Sequence, residues 1–94
     1  MAEEARNLRD VLPPGMLKPP LKKEDVLDAT ITVHSVSLLP GEFGDFMRIK
    51  ATVGGELRTI LTGAALIQER LLAAQDSFPV TCTVRKVGRS WLVE

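Results

Sequence analysis

The chain has 94 residues with twelve basic and twelve acidic side chains, so its formal net charge is zero. A chain of this length makes one small domain that buries only a modest fraction of its surface. A net charge of zero argues against a protein that binds a polyanion through total charge alone. No apolar run approaches the roughly twenty residues that a membrane-spanning helix needs, so no such helix is expected.

Residues 1–28 differ in composition from the rest of the chain. Pro13-Pro14-Gly15 and Pro19-Pro20 interrupt them twice, and proline opposes regular structure both at its own position and at the residue before it. We interpret residues 1–28 as an N-terminal extension that is partly disordered or binds a partner, and residues 29–94 as the folded domain. A second copy of the chain or a partner protein is the expected target of this extension.

The first predicted strand, Thr30–Leu39, changes phase part-way along its length. Ile31 and Val33 share one face, whereas Val36 and Leu38 continue with the opposite parity. A bulge or strong bend near His34 and Ser35 would produce this change, and a strand that belongs to both sides of a barrel needs such a bend.

The second predicted strand, residues 45–53, carries the most informative pattern of the chain. Its alternate residues are apolar and predict a core face, because strand side chains alternate with a period of two. The core face consists of Met47, Ile49, Ala51 and Val53. The opposite face carries Phe46, Arg48, Lys50 and Thr52. The face that is expected to meet solvent therefore carries an aromatic ring and two cations.

The remaining elements follow in a recognisable order. Gly54-Gly55 predicts a hairpin into a third strand, Glu56–Thr62, on which Arg58 is expected to face outward. Residues 64–74 have the composition and apolar spacing of a helix, with Thr62 as its expected cap. Val80–Val87 and Ser90–Val93 predict the fourth and fifth strands. The order β-β-β-α-β-β indicates an all-β domain with one helix, a five-stranded OB-fold-like Greek-key barrel.

Cys82 is the only cysteine, so an internal disulfide is excluded and a reducing compartment is expected. It alternates in phase with Val80 and Val84, which predicts a buried and unreactive thiol. The first residues, Met-Ala-Glu-Glu, lack the basic and apolar regions of a secretory signal. The sequence therefore predicts a cytoplasmic protein, in a bacterial or an infected host cell.

Catalytic chemistry has little support in the sequence. His34 is the only histidine, and no acid or base is positioned beside it, so we expect a surface strand residue. No pair of histidines or cysteines has metal-ligand spacing. We therefore expect a protein that is not an enzyme and that carries no metal or other cofactor.

Nine side chains are candidate contacts for nucleic acid, because rings stack on bases and cations meet phosphates. The rings are Phe43, Phe46 and Trp91, and the cations are Arg48, Lys50, Arg58, Arg85, Lys86 and Arg89. OB-folds bind oligonucleotides across the second and third strands and the loops beside them, so these residues are predicted to form one basic groove. For Trp91, closing the barrel is an equal alternative to stacking.

Residues 30–93 resemble small single-stranded DNA-binding proteins of bacteriophages. The similar segments are Ile31-Thr32-Val33, Gly41-Glu42-Phe43-Gly44-Asp45-Phe46, Gly55-Glu56, Thr62-Gly63-Ala64, Phe78-Pro79-Val80 and Gly88-Arg89-Ser90-Trp91. The resemblance implies an OB-fold that captures single strands without sequence preference during DNA replication or recombination. It also implies that the contact residues include Phe43, Phe46, Arg48, Lys50, Arg58 and Trp91.

Two hypotheses follow from the sequence. The first is a non-catalytic protein that binds single-stranded DNA, with RNA as an open alternative. The second is a protein-interaction or assembly module of OB-like fold in a replication or virion complex. In the second hypothesis the strand charges are only solvated, and the N-terminal extension makes the contacts.

Overall fold

The computed structural model of the chain describes residues 18–42 and 44–94. These residues form six strands, one α-helix and two 3-10 turns. The strands are β1 (Leu21–Lys22), β2 (Thr30–Leu39), β3 (Phe46–Val53), β4 (Glu56–Thr62), β5 (Val80–Val87) and β6 (Ser90–Val93), the helix α1 is Ala65–Ala73, and the turns are Lys23–Val26 and Gln75–Ser77. A mostly β domain with one helix is confirmed. The predicted number of five strands is wrong, because the sequence pattern does not predict β1.

The strands form one sheet in the order β1-β4-β3-β2-β5-β6, curled into half a barrel. β1 runs parallel to β4, and all other neighbours are antiparallel. β2 pairs with β3 along residues 32–39 and with β5 along residues 30–33. This long central strand therefore belongs to both halves of the curled sheet.

A bulge bends β2 at the predicted place. The register with β3 shifts between Val33 and Ser35, so His34 is an extra residue in the ladder. The imidazole Nε2 of His34 is 2.8 Å from the hydroxyl of Thr52 on β3. The extra residue reverses the parity of the strand, so Val33 and Val36 both lie on the core side, in register with the buried Ala51 and Ile49.

The core lies between the inner face of the curled sheet and α1. Met47, Ile49 and Ala51 of β3 are each at most 2 % exposed, which confirms the predicted alternation. Ile67 and Leu71 of α1 belong to the same buried cluster. The other buried apolar side chains are Val26, Ile31, Val33, Ile60, Cys82, Val84 and Val93.

Polar contacts fix the helix against the sheet. The hydroxyl of Thr62 accepts a hydrogen bond of 3.1 Å from the backbone N–H of Ala64, and the side-chain amide of Gln68 donates one of 3.2 Å to the carbonyl of Thr62. Arg70 donates a bond of 3.0 Å to the carbonyl of Val93 on β6. These bonds hold the start of α1 at the end of β4 and its body along β6.

Residues 18–28, called the strap below, join the two ends of the curled sheet. β1 lies within the strap and pairs with β4, while Leu27 bridges to Val84 of β5. Val26 is 1 % exposed and shares a small internal void of about 10 Å³ with Ile60, Val84 and Val93. Side chains from both ends of the sheet therefore meet around this one valine.

Polar contacts hold the strap at both of its ends. Lys18 Nζ is 2.8 Å from the carboxylate of Glu56, and the backbone N–H of Asp28 donates a bond of 2.7 Å to the carbonyl of Val84. The strap, which the sequence assigns to the N-terminal extension, thus adds a strand and a buried side chain to the curled sheet. Residues 1–17 of the predicted extension lie outside the described residues.

Within the described ranges, no helix is both long and apolar enough to cross a membrane.

Candidate functional site

The outer face of β3 presents two cations to solvent. Arg48 and Lys50 are exposed, because they alternate with the buried Met47, Ile49 and Ala51. Their cross-strand neighbours are Ser37 and Leu61 for Arg48, and Ser35 and Thr59 for Lys50. These neighbours carry no charge, and neither cation has an ion pair with any described residue. We call Arg48, Lys50 and these four neighbours the outer patch.

Lys22 adds a cation beside the outer patch that the sequence does not predict. It is exposed and stands in register with Leu61, which in turn stands in register with Arg48. Residues in register share a face of the sheet, so Lys22 and Arg48 point to the same side. A strand of two residues has no periodic signal, and the alternation that identified Arg48 therefore could not find Lys22.

Phe46 lies at the end of the outer face, opposite Leu39 of β2. Its ring is half-buried and covers Gly41, where an added Cβ would stand 3.1 Å from Phe46 Cδ1 and 2.5 Å from the carbonyl oxygen of Gly44. The ring thus packs on the turn between β2 and β3 and keeps one part exposed. Phe43, the other candidate ring in this turn, lies outside the described residues.

Arg58 faces inward, so its predicted outward orientation is wrong. It stands in register with the buried Ala51, and its side chain is only 16 % exposed. The guanidinium donates a hydrogen bond of 3.2 Å to the carbonyl of Pro19 and lies 3.9 Å from Glu56. Arg58 therefore holds the strap and is not part of the outer patch.

Arg85 is exposed, but its charge is already balanced. Its guanidinium lies 2.9 Å from the carboxylate of Asp28 and 3.2 Å from that of Glu94. The hydrogen bond with Asp28, together with that to Glu94, raises the pKa of Arg85 above its usual value. Arg85 thus ties the strap to β5, and a phosphate would have to compete with two carboxylates for it.

Lys86, Arg89 and Trp91 form a second group on the last hairpin. Lys86 and Trp91 stand in register on β5 and β6, and the ammonium of Lys86 lies 5.4 Å from the centroid of the Trp91 ring. Lys23 of the strap reaches the same ring at 5.2 Å. Both distances are typical of cation–π contacts. The indole also packs against the core, so it contributes to the packing at this end of the curled sheet.

A cleft of about 350 Å³ opens beside Trp91, and we call it the Trp91 cleft. Its lining residues are Lys23, Gly63, Ala64, Ala65, Leu66, Arg89, Ser90 and Trp91. Lys86 lies two residues from the buried Val84 on β5, so it is on the core side of the sheet, and so is Trp91, which stands in register with it. Arg48 and Lys50 alternate with buried residues of β3 and therefore lie on the outer side. The predicted single groove is therefore divided into the outer patch and the Trp91 cleft.

Other chemistry has no comparable basis in the described residues. They contain no group of three or more His, Cys, Asp or Glu side chains that could hold a metal ion. Cys82 is buried at 8 % exposure, as predicted, and this burial raises the pKa of its thiol. His34 is exposed on the bulge, with Thr52 as its contact. The arrangement offers two cationic surfaces and no activated nucleophile.

No protein family model, no curated protein and no solved structure matches this chain. Its function is therefore inferred from the chemistry of the outer patch and the Trp91 cleft.

Proposed function

We propose that the protein is a non-catalytic OB-fold module that binds single-stranded DNA without sequence preference, in DNA replication or recombination. The observation that carries the proposal is the outer patch, where Arg48 and Lys50 are exposed, without ion pairs to described residues, and have only uncharged cross-strand neighbours. Phosphates attract such cations at long range and release counterions when they bind.

The strand order supports the fold part of the proposal. Without β1, the order β4-β3-β2-β5-β6 and the helix between β4 and β5 are the order expected of an OB-fold, with β2 bent and paired on both sides. In that fold, β3 and β4 are the strands across which oligonucleotides bind. The strap then takes the position at the free edge of β4, where a fully closed barrel would pair its last strand.

The spacing of the two cations suits a single strand. Alternate residues of a β-strand are roughly 7 Å apart, which is comparable to the spacing of successive phosphates in an extended single strand. Ser35, Ser37 and Thr59 have hydroxyl groups that can donate hydrogen bonds to phosphate oxygens. Small neighbours also leave room for the backbone to approach the sheet.

Single strands are preferred over duplexes in this proposal because of the ring at the end of the patch. Phe46 is half-buried and keeps part of its ring accessible, and an unpaired base can stack on it, whereas bases in a duplex are already stacked. Stacking on one ring is worth about 1–3 kcal/mol. The two or three cations at the outer patch, on a chain with zero net charge, attract the phosphates of a duplex only weakly.

The assembly module has less support among the described residues. The strap, which that hypothesis assigns to a partner, contacts its own sheet through β1, Val26 and Asp28. The exposed large apolar side chains belong to four different elements, and scattered apolar side chains are normal on protein surfaces. They are Leu27, Leu38, Leu66 and Val87.

The test is a titration of dye-labelled oligo-dT and of a duplex of equal length, followed by fluorescence anisotropy at low salt. We expect saturable binding of the single strand and much weaker binding of the duplex. Binding of neither, together with oligomers seen by light scattering, would reject DNA binding and favour the assembly module. The same titration with oligo-U decides between DNA and RNA.

A further inference from the structure

The Trp91 cleft is positively charged on a side of the molecule that the outer patch does not use. Lys23 and Arg89 line it, and Lys86 contacts its indole wall. Among the described residues, no acidic side chain lines the cleft. Lys23 also pairs with Glu24 at 2.9 Å, whereas Lys86 and Arg89 have no ion pair with any residue in the described ranges. An anionic ligand therefore meets uncompensated charge here.

The size and walls of the cleft limit the kind of anion that fits. Its volume of about 350 Å³ lies at the small end of the range of ligand sites, roughly 300–1,000 Å³, and far exceeds what one phosphate group fills. Its lining includes the Trp91 ring and three small residues, Gly63, Ala64 and Ala65. A cleft lined by an aromatic ring and by cations suits a ligand that combines a flat ring with a phosphate.

The ammonium groups over Trp91 can serve both parts of such a ligand. Lys23 and Lys86 lie 5.2 and 5.4 Å from the ring centroid, and each is on a flexible four-carbon stem. A base that stacks on the indole displaces an ammonium from the ring, and the displaced ammonium can then meet the phosphate.

We propose that the Trp91 cleft binds a nucleotide, either free or as the terminal, phosphate-bearing unit of a single strand. The inference rests on the proposed function, because a nucleotide is chosen over other phosphate-bearing ring compounds on the ground that the outer patch binds a strand. It adds a second contact, on a different face, to a protein whose outer patch alone has few cations.

Trp91 is the only tryptophan of the chain, so its fluorescence reports on this cleft alone. The full-length protein is titrated with dTMP, thymidine and inorganic phosphate, with excitation beyond the absorption of the nucleotide. We expect a saturable change with dTMP and at least roughly tenfold weaker binding of thymidine and of phosphate, because each supplies only one of the two interactions. No change with dTMP, or an equal response to an acidic peptide of the same charge, would overturn the proposal.

Two variants test the assignment of the cleft, and one serves as control. Arg89→Ala removes a lining cation and should weaken dTMP binding about tenfold. Gly63→Leu should abolish it without changing charge, since a Cβ at Gly63 meets no protein atom within 4 Å and the side chain can fill the slot. Arg85→Ala removes an equal charge outside the cleft and should leave dTMP binding unchanged. Equal effects of Arg89→Ala and Arg85→Ala, with no effect of Gly63→Leu, would show a non-specific charge effect and reject the site.

The source of the nucleotide is decided with oligo-dT that carries or lacks a 5′-phosphate. A stronger Trp91 response to the phosphorylated strand assigns the cleft to strand ends, and a response to dTMP alone assigns it to free nucleotides. If dTMP does not change the Trp91 fluorescence but labelled oligo-dT still binds in the anisotropy titration, this inference is rejected and the proposed function stands. If oligo-dT does not bind in the anisotropy titration, the proposed function is rejected instead.

Discussion

At the residue scale, four cationic side chains have different environments. Arg48 and Lys50 face solvent beside uncharged neighbours, whereas Arg58 holds the carbonyl of Pro19 and Arg85 lies between two carboxylates. Strand parity and ion pairing therefore separate the cations available to a ligand from those that hold the strap. A count of basic residues alone cannot make this distinction.

Arg58→Ala should reduce stability and leave the outer patch intact. It removes a largely buried guanidinium and its hydrogen bond to Pro19, and hydrogen bonds of charged groups are worth about 1.5–3 kcal/mol. Urea unfolding should show a loss of about 1–2 kcal/mol, with the affinity of the folded protein for oligo-dT changed less than about twofold. A large loss of affinity with unchanged stability would instead place Arg58 in the binding surface.

The sequence predicted the faces of β3 correctly and those of β4 incorrectly for a physical reason. On β3 every inward residue is apolar, and the outward residues include two cations. On β4 both faces carry large apolar residues, with Leu57 and Leu61 on one and Ile60 on the other, so alternation cannot choose between them. Only the register of Arg58 with Ala51 decides the question, and register is a property of the fold.

At the scale of elements, the strap is the part of the structure that the sequence describes least. Its two-residue strand and short 3-10 turn are too brief to produce a periodic pattern, and Pro19-Pro20 before them opposes regular structure. By contrast, the bulge in β2 was predictable, because a change of phase within a long apolar strand leaves a clear signal. Long elements with one buried face were thus predictable, and a segment held by tertiary contacts was not.

Val26→Ala should show that the strap belongs to the core. Val26 is 1 % exposed among side chains from both ends of the sheet, so its truncation should cost about 2 kcal/mol. For a domain of this size that is a fall of roughly 8–16 °C in Tm. The control is Leu27→Ala, since Leu27 is 40 % exposed and its truncation should cost less than about 0.5 kcal/mol. Equal effects would mean that Val26 is not buried in solution.

The contact between the strap and β4 should weaken in acid. The hydrogen bond from Lys18, aided by the charges of Lys18 and Arg58, lowers the pKa of Glu56 below its ordinary value of 4.5. A lowered pKa in the folded state stabilises the protein above 4.5, and that contribution is lost as the pH falls through the lowered value.

Unfolding free energies of the wild type and Glu56→Gln, measured between neutral and acid pH, test this dependence. The difference between the two proteins should be present at neutral pH and vanish at low pH. Glu69→Gln removes an exposed carboxylate without an ion pair to any described residue and serves as control. A difference that grows in acid would contradict the assignment.

At the scale of the whole molecule, the described part of this neutral chain carries cations without ion pairs in two places, the outer patch and the Trp91 cleft. The curled sheet separates the outer patch from the Trp91 cleft, because the two groups lie at opposite parities relative to the core. The sequence predicted both groups but joined them into one groove, since the strand on which a residue lies does not reveal which side of a curled sheet it faces. Charge placement, not net charge, is therefore the feature that fits a strand-binding protein.

Cys82 offers a probe of global stability. The residue is 8 % exposed, and burial raises the pKa of its thiol, so the reactive thiolate is disfavoured in the folded state. Thiol labelling should be slow in native buffer and should accelerate with denaturant in parallel with the loss of circular dichroism. Labelling in native buffer at the rate of a free cysteine would contradict the burial of Cys82 on β5.

The most direct measurement of the central claim is the salt dependence of oligo-dT binding by the wild type, by Arg48→Ala/Lys50→Ala and by Arg85→Ala. If Arg48 and Lys50 each neutralise a phosphate, the double variant should bind about tenfold more weakly at low salt, ~1.4 kcal/mol. Its slope of log K against log salt concentration should be smaller by about 1.4, from roughly 0.7 per phosphate. Arg85→Ala should retain the wild-type slope. An unchanged slope in the folded double variant would contradict binding at the outer patch.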